Sequence, residues 1–312
     1  MIAKLVSNNM ELICKYVQTN LSSQEDGSAR QAGRHEEPAG GNVAMSSLAT
    51  VAPWNLVAAG YSEVSVEFFE GFNEAALEMV APGETDRLLD VGCGPGTLSL
   101  IAASRVAAVD AVDFSENMIA ILRRHAADRG LKNICPLLGD GQGLPFEGAT
   151  FDAAFSMFGL MFFPDRAKGY GEIFRTLKNG GRACVSSWAP VDRSPMMQVM
   201  FGALRAINPN IPEAKTDIAS LENPDVLASE LGDAGFKEVE VCRVTKGIEF
   251  ASASEYWDKM TRGSAPVLMM KRDMGEDMWR AKSEIAVDHV ARTVGAFPAV
   301  LTADAWLGVA TK

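Results

Sequence analysis

The sequence is poor in the residues from which disulfide frameworks and metal centres are built. Its five cysteines, Cys14, Cys93, Cys135, Cys184 and Cys242, are odd in number, widely separated and never in a C-x-x-C arrangement. Neither a disulfide framework nor a structural zinc site is expected. Only three histidines occur, His35, His125 and His289, none near a cysteine, so no metal site is expected. This cysteine usage fits a reducing, cytoplasmic compartment. Long apolar runs are also missing: stretches such as Leu98–Ala103 fall well short of the roughly 18 residues a membrane-spanning helix needs. Cations are scarce, with 29 Lys+Arg against 40 Asp+Glu and a net charge of −11. Phosphate backbones are bound through clustered cations, so nucleic-acid binding is disfavoured.

What is present is an ordinary globular composition. The 312 residues are 47% hydrophobic and 22% charged, enough for one large or two modest domains. Residues 1–50 differ from the rest. Met1–Leu21 has apolar residues near helical spacing, and Ser22–Asn42 is a polar run without periodicity that reads as a mobile extension. These first fifty residues carry four Lys/Arg and five Asp/Glu, a pattern of neither a secretory signal nor a transit peptide. Met45 is a candidate functional start.

From Ala52 the pattern is regular. A helix is expected over Ser65–Val80, stopped by Pro82-Gly83. Strands are expected at Arg87–Val91, Val109–Val112, Ile134–Leu138, Phe151–Phe155 and Arg182–Ser187, with helices over Thr97–Ser104, Glu116–Arg129 and Arg166–Leu177 between them. Such alternation implies an α/β fold, a doubly wound parallel sheet with helices on both faces. Beyond Trp188 the rhythm changes. Helices are expected at Pro195–Ile207, Pro224–Ala234, Ala253–Met260 and Met269–Val294, and strands at Glu238–Val244 and Ala303–Thr311. The division is thus an extension (1–50), a core (51–190), and a segment that completes the sheet and adds a helical cap over a substrate (191–312).

The central motif is Asp90-Val-Gly92-Cys93-Gly94-Pro-Gly96 at a strand end. Glycines allow positive φ and close approach of a ligand to the backbone before a helix N-terminus. The position that the dinucleotide fingerprint G-x-G-x-x-G requires to be glycine is Thr97, which disfavours a pyrophosphate. Asp113 ends the second strand, 17 residues after Gly96, where a carboxylate can accept from both hydroxyls of a ribose; alternatively Asp113 or Ser115 caps the following helix. Asp140 ends the third strand in Gly139-Asp140-Gly141-Gln142-Gly, placed to accept from a purine amine. Three carboxylates at three successive strand ends share one crevice.

These segments, with Phe151-Asp152 and Leu177-Lys-Asn-Gly180-Gly181-Arg182, resemble the class I S-adenosylmethionine-dependent methyltransferases over about Tyr61 to Trp188, most closely the branch containing the ubiquinone and menaquinone C-methyltransferases. The resemblance implies a Rossmann-like seven-stranded, mostly parallel sheet whose last strand is antiparallel, and S-adenosyl-L-methionine as cofactor. It implies that Asp90, Gly92, Cys93, Gly94 and Gly96 surround the methionine part and that Asp113 holds the ribose hydroxyls. Phe114 and Met118 would then flank the adenine, with Asp140, Gly141 and Gln142 at its amine and the Ser156 carbonyl region at the amino group. Tyr61 stands where relatives place a lid residue, or it is a packing anchor. Asn179 replaces a usual proline, and Gly141 a commoner alanine.

The remaining features bear on the acceptor. Phe155–Pro164 is unusually apolar for a loop at a crevice and is a candidate acceptor wall or core segment. Eight of the fifteen methionines lie between Met196 and Met278, which suits a cap over a small apolar acceptor or ordinary helix cores. No catalytic base is evident from the spacing. An RNA or protein methyltransferase, a cofactor-binding protein without catalysis, and a nicotinamide oxidoreductase are the alternatives, the last disfavoured by the glycine pattern.

Overall fold

In the computed structural model residues 47–213 and 220–312 are described. The expected N-terminal helix, the polar run and Met45 lie outside them. The strands β1 (Arg87–Val91), β2 (Ala108–Asp113), β3 (Ile134–Leu138), β4 (Phe151–Ser156), β5 (Leu177–Trp188), β6 (Lys237–Phe250) and β7 (Ala299–Thr311) form one sheet in the order β3-β2-β1-β4-β5-β7-β6. Strands β1 to β5 pair in parallel. β7 runs antiparallel to both β5 and β6, as the resemblance implied. β1 and β2 are buried along almost their whole length, as strands covered on both faces must be.

The helices are α1 (Val51–Val80), α2 (Thr97–Ala102), α3 (Glu116–Asp128), α4 (Arg166–Thr176), α5 (Pro195–Ile207), α6 (Pro224–Asp233), α7 (Ala253–Arg262), α8 (Ala265–Met274) and α9 (Glu276–Val294). Two differ from expectation. α1 starts at Val51 rather than Ser65. Pro53 lies in its first turn, where its missing N–H leaves no bond unmade, so a residue that weakens the pattern in sequence does not stop the helix. The single helix expected over Met269–Val294 is instead interrupted at Gly275, whose φ of 78° and ψ of 159° belong to glycine alone.

Two apolar clusters flank the parallel half of the sheet. On one face Phe72, Ala76, Leu77 and Val80 of α1 pack with Leu88, Leu98, Phe155 and, from β7, Ala305, Leu307 and Val309. On the other, Tyr170 and Ile173 of α4 and Leu227 and Leu231 of α6 cover Leu89, Ala154 and Val185. A third cluster belongs to the cap. Met196, Met200, Met260 and Met270 are buried in it with Trp257 and Trp279, whose rings stack at 5.7 Å.

Candidate active site

The carboxyl ends of β1, β2 and β3 open into a cavity of about 320 Å³, within the size range of ligand sites. Its floor is the glycine loop. Gly92, Gly94 and Gly96 have φ of 69°, 54° and 88°. At Gly96 a β-carbon would lie 2.1 Å from Leu122 Cδ1, so both conformation and space demand glycine there. The loop is tied to the neighbouring strand: Gly92 N and Cys93 N donate to the Val112 carbonyl at 2.8 and 3.1 Å.

Asp113 fixes the loop from the side. Its Oδ2 accepts from Gly94 N and its Oδ1 from Ser115 N, both at 2.8 Å. The helix cap is Ser115, whose hydroxyl accepts from Met118 N, while Asp113 lines the cavity. Burial pushes Asp113 up to about 6, although three backbone N–H groups oppose the shift. Asp90 accepts from Ser99 Oγ at 2.6 Å, and burial, with a smaller contribution from the charge of Asp113, pushes it up to about 7. Burial and both carboxylates raise the Cys93 thiol well above its usual value, so it stays protonated. Asp140 differs from the other two in standing exposed at the rim, with Oδ1 accepting from Gln142 N at 2.9 Å. Gln142 Oε1 in turn accepts from Asp165 N at 3.0 Å, which ties this loop to the start of α4.

Tyr61, Asp90, Gly92, Cys93, Gly94, Asp113, Phe114, Met118, Asp140, Gly141 and Gln142 all line the cavity. Two expected residues stand behind the wall instead. Gly96 begins α2 against Leu122, and the Ser156 hydroxyl accepts from Leu160 N at 3.1 Å, while Met157, Phe158 and Gly159 face the cavity. Tyr61 lies over the glycine loop, its Cε1 4.0 Å from where a Gly94 β-carbon would sit. Burial first, and the charge of Asp113 second, raise its hydroxyl above the usual range.

Sequence reasoning missed the contribution of α1. Trp54, Phe69 and Asn73 line the cavity with Tyr61. Tyr61, Ser65, Phe69 and Asn73 repeat every four residues, so the helical face was legible once the helix was extended to Val51. The apolar segment after β4 divides between core and cavity. Leu160 is fully buried in the core, while Phe162, Phe163 and Pro164 join Met157 and Phe158 on the cavity. Phe158 has φ of 57°, a strained conformation for a bulky side chain, and its ring lies 4.2 Å from that of Trp188 and 5.0 Å from that of Phe69. Of the two readings of the methionine-rich segment, that of ordinary helix cores fits its packing. Every described lining residue falls between Ala49 and Pro164, so none of those methionines lines the cavity, and Met196, Met200, Met260 and Met270 are buried in the cap's core. α8 braces the site from behind, with Leu268 and Met269 packed in the cluster that includes Trp54, Tyr61 and Phe162.

The cavity's charge fits S-adenosylmethionine. Three carboxylates line it with no Lys, Arg or His among the described lining residues, a setting that favours a cationic sulfonium and disfavours a pyrophosphate.

A methyltransferase-domain family matches residues 88–181. The chain is 34% identical over 188 residues to a demethylmenaquinone methyltransferase of Clavibacter sepedonicus, covering 56% of this chain and 75% of that one. It belongs to the S-adenosylmethionine-dependent methyltransferases. A nocamycin O-methyltransferase of Saccharothrix syringae is 32% identical to this methyltransferase over 195 residues, 57% of this chain and 69% of the relative. The YcgJ protein of Bacillus subtilis shares the fold, with a TM-score of 0.52 at 19% identity over 78% of the methyltransferase and 98% of YcgJ. The methyltransferase is therefore an enzyme that uses S-adenosylmethionine. Among its described residues no helix is long and apolar enough to cross a membrane, and no cluster of three metal-ligating side chains occurs.

Proposed function

We propose that this methyltransferase alkylates a small, neutral, largely apolar acceptor held against α1 and the segment after β4. The observation that carries the proposal is the split character of the cavity. One wall presents backbone amides and the carboxylates Asp90, Asp113 and Asp140; the other presents Phe69, Met157, Phe158, Phe162 and Phe163. The relatives named for demethylmenaquinone and nocamycin methylation support a small-molecule acceptor rather than RNA or protein.

S-adenosylmethionine supplies, when bound, a methyl carbon made electrophilic by positively charged sulfur. Toward it, Asp113 would accept from the ribose hydroxyls with the lone pairs its backbone bonds leave free. Val112, Phe114 and Met118 sandwich the adenine, and Asp140 with the Gly141 and Gln142 backbone reads its amine. Asp90, Cys93 and the loop glycines enclose the amino-acid end, and Tyr61 closes over them. The described lining residues include no His, Lys, Arg or Glu; the side chains named here would orient the two reactants and exclude water.

Residues 51–190 then form the cofactor-binding core, and 191–312 complete the sheet and brace the site. The scarcity of cations argues for no nucleic-acid partner, and the cysteine usage for a cytoplasmic location. Calorimetry with S-adenosylmethionine, S-adenosylhomocysteine and NAD tests the reading of the cavity. Both sulfur compounds are expected to bind and NAD is not; NAD binding alone overturns it. Mass spectrometry of products formed from an extract with labelled methyl donor identifies the acceptor, and exclusive labelling of highly charged metabolites defeats the apolar assignment.

A further inference from the structure

Two serine hydroxyls fasten the segment that follows β4. The parallel pairing of β4 with β5 ends at Ser156 and Val185, so from Met157 the chain leaves the ladder and its backbone N–H groups need other acceptors. Ser156 Oγ accepts from Leu160 N at 3.1 Å. Ser186 Oγ, one residue beyond Val185 on β5, accepts from Phe158 N at 2.9 Å. Both serines are 0% exposed, so each acts on the site only through the segment it holds. Between the two bonds Phe158 has its φ of 57°, a costly conformation for a bulky residue that persists only where its surroundings over-determine it. The Ser186 hydroxyl holds its backbone, and the rings of Trp188, Phe69 and Phe72 hold its side chain at 4.2, 5.0 and 5.5 Å.

The strained turn brings two backbones across one another. A β-carbon on Gly92 would lie 3.3 Å from Gly159 Cα, and one on Gly159 would lie 3.3 Å from both Cα and O of Gly92. With no side chain between them, the segment after β4 passes directly over the glycine loop, and Gly92, Met157, Phe158 and Gly159 line the same cavity. The loop is the proposed seat of the methyl donor and the segment that of the acceptor. Transfer needs the reacting atoms about 3–3.5 Å apart, and a misplacement of about 1 Å can slow it about a hundredfold.

We infer that Ser186 is a positioning residue for methyl transfer. With Ser156 beside it on β4, it holds the acceptor wall at working distance from the methyl donor and touches neither reactant. The inference rests on the placement of the acceptor against this segment. Packing is the competing account of a buried serine, and it predicts a loss of stability without a selective loss of transfer.

The full chain is compared as wild type, Ser186→Ala, Ser186→Thr and Ser156→Ala. Calorimetry measures the affinity for S-adenosylhomocysteine, and transfer is the label passed from saturating labelled S-adenosylmethionine to the metabolites of a cell extract. Ser186→Ala is expected to keep S-adenosylhomocysteine affinity within about twofold and to lower transfer about ten- to a hundredfold. Ser186→Thr keeps the hydroxyl and is expected to restore most of the transfer. Ser156→Ala, which frees Leu160 N, is read in place of Ser186→Ala if that variant lacks the wild-type circular dichroism spectrum. Unchanged transfer overturns the inference, as does transfer that falls in step with S-adenosylhomocysteine affinity. A folded threonine variant no better than alanine also overturns it. Exclusive labelling of highly charged metabolites by the wild type instead defeats the placement of the acceptor. If the wild type labels nothing, amide hydrogen exchange in the S-adenosylhomocysteine complex decides: quickening confined to residues 157–163 in the alanine variant supports the inference, and uniform or absent quickening overturns it.

Discussion

Asp113 holds the glycine loop and faces the proposed ribose with one carboxylate, so its two tasks are separable by substitution. Asn offers a single acceptor oxygen, and its NH₂ would confront either Gly94 N–H or Ser115 N–H. Asp113→Asn is expected to weaken S-adenosylmethionine about ten- to a hundredfold by calorimetry, the range for a hydrogen bond to a charged group. Asp90 has a pKa raised to about 7 by burial, above the 3.8 taken for the unfolded chain. Its effect on folding is therefore fully favourable below about 3.8 and is lost as pH rises through 7. Asp90→Asn removes that loss, so the melting temperature of the ligand-free variant should exceed that of wild type by more at pH 8 than at pH 5. Gly141 shows what a single departure from the family pattern accommodates. A β-carbon there would lie 2.5 Å from Phe163 Cζ and 2.8 Å from Val91 Cγ1. The ring occupies the space the commoner alanine needs. Gly141→Ala should cost about 1–3 kcal/mol in urea unfolding, as overpacking does, and Gly141→Ala combined with Phe163→Leu should recover most of it.

At the scale of elements, what was legible in the sequence followed what local chemistry determines. β1 to β4 and α3 lie close to where apolar runs, turns and the Ser115 cap place them, because each carries its own start and stop signals. The carboxylates at successive strand ends were legible for the same reason. The start of α1 was not, since tertiary packing against α3 and α8 sustains a helix through residues with poor helical preference. The inward turn of Met157 and Phe158 instead of Ser156 depends on a strained backbone held by the Ser186 hydroxyl, which accepts from Phe158 N at 2.9 Å, a contact 28 residues away. The break between α8 and α9 was written in Gly275 but masked by apolar spacing on either side. No atom lies within 4 Å of the site of a Gly275 β-carbon, so Gly275→Ala meets backbone strain alone. It should lower stability by about 1–3 kcal/mol in a denaturant titration while leaving S-adenosylmethionine affinity unchanged.

The whole molecule depends on a strand that arrives last. β7 lies between β5 and β6, and its Ala305, Leu307 and Val309 are shared with α1, β1 and β4 in a single apolar cluster. Lys312 N donates to the Gly181 carbonyl at 2.9 Å, and Gly180 N to the Lys312 carbonyl at 3.0 Å, closing the turn that precedes most of β5. Residues 51–190 carry the proposed cofactor contacts, yet one edge of their sheet and part of their core come from more than a hundred residues away. A chain stopped at Pro298 would expose the edge of β5, strip the partner from β6, and uncover Cys184, which pairs with Val309. The loss reaches the cavity through Phe158, because Trp188, whose ring lies against it, pairs with Ala305 of β7. Such a truncation is expected to abolish cooperative unfolding, seen as the loss of a sigmoidal melt by circular dichroism, and with it S-adenosylmethionine binding. A truncated chain that still melts cooperatively and binds the cofactor would show that residues 51–190 fold independently of β7.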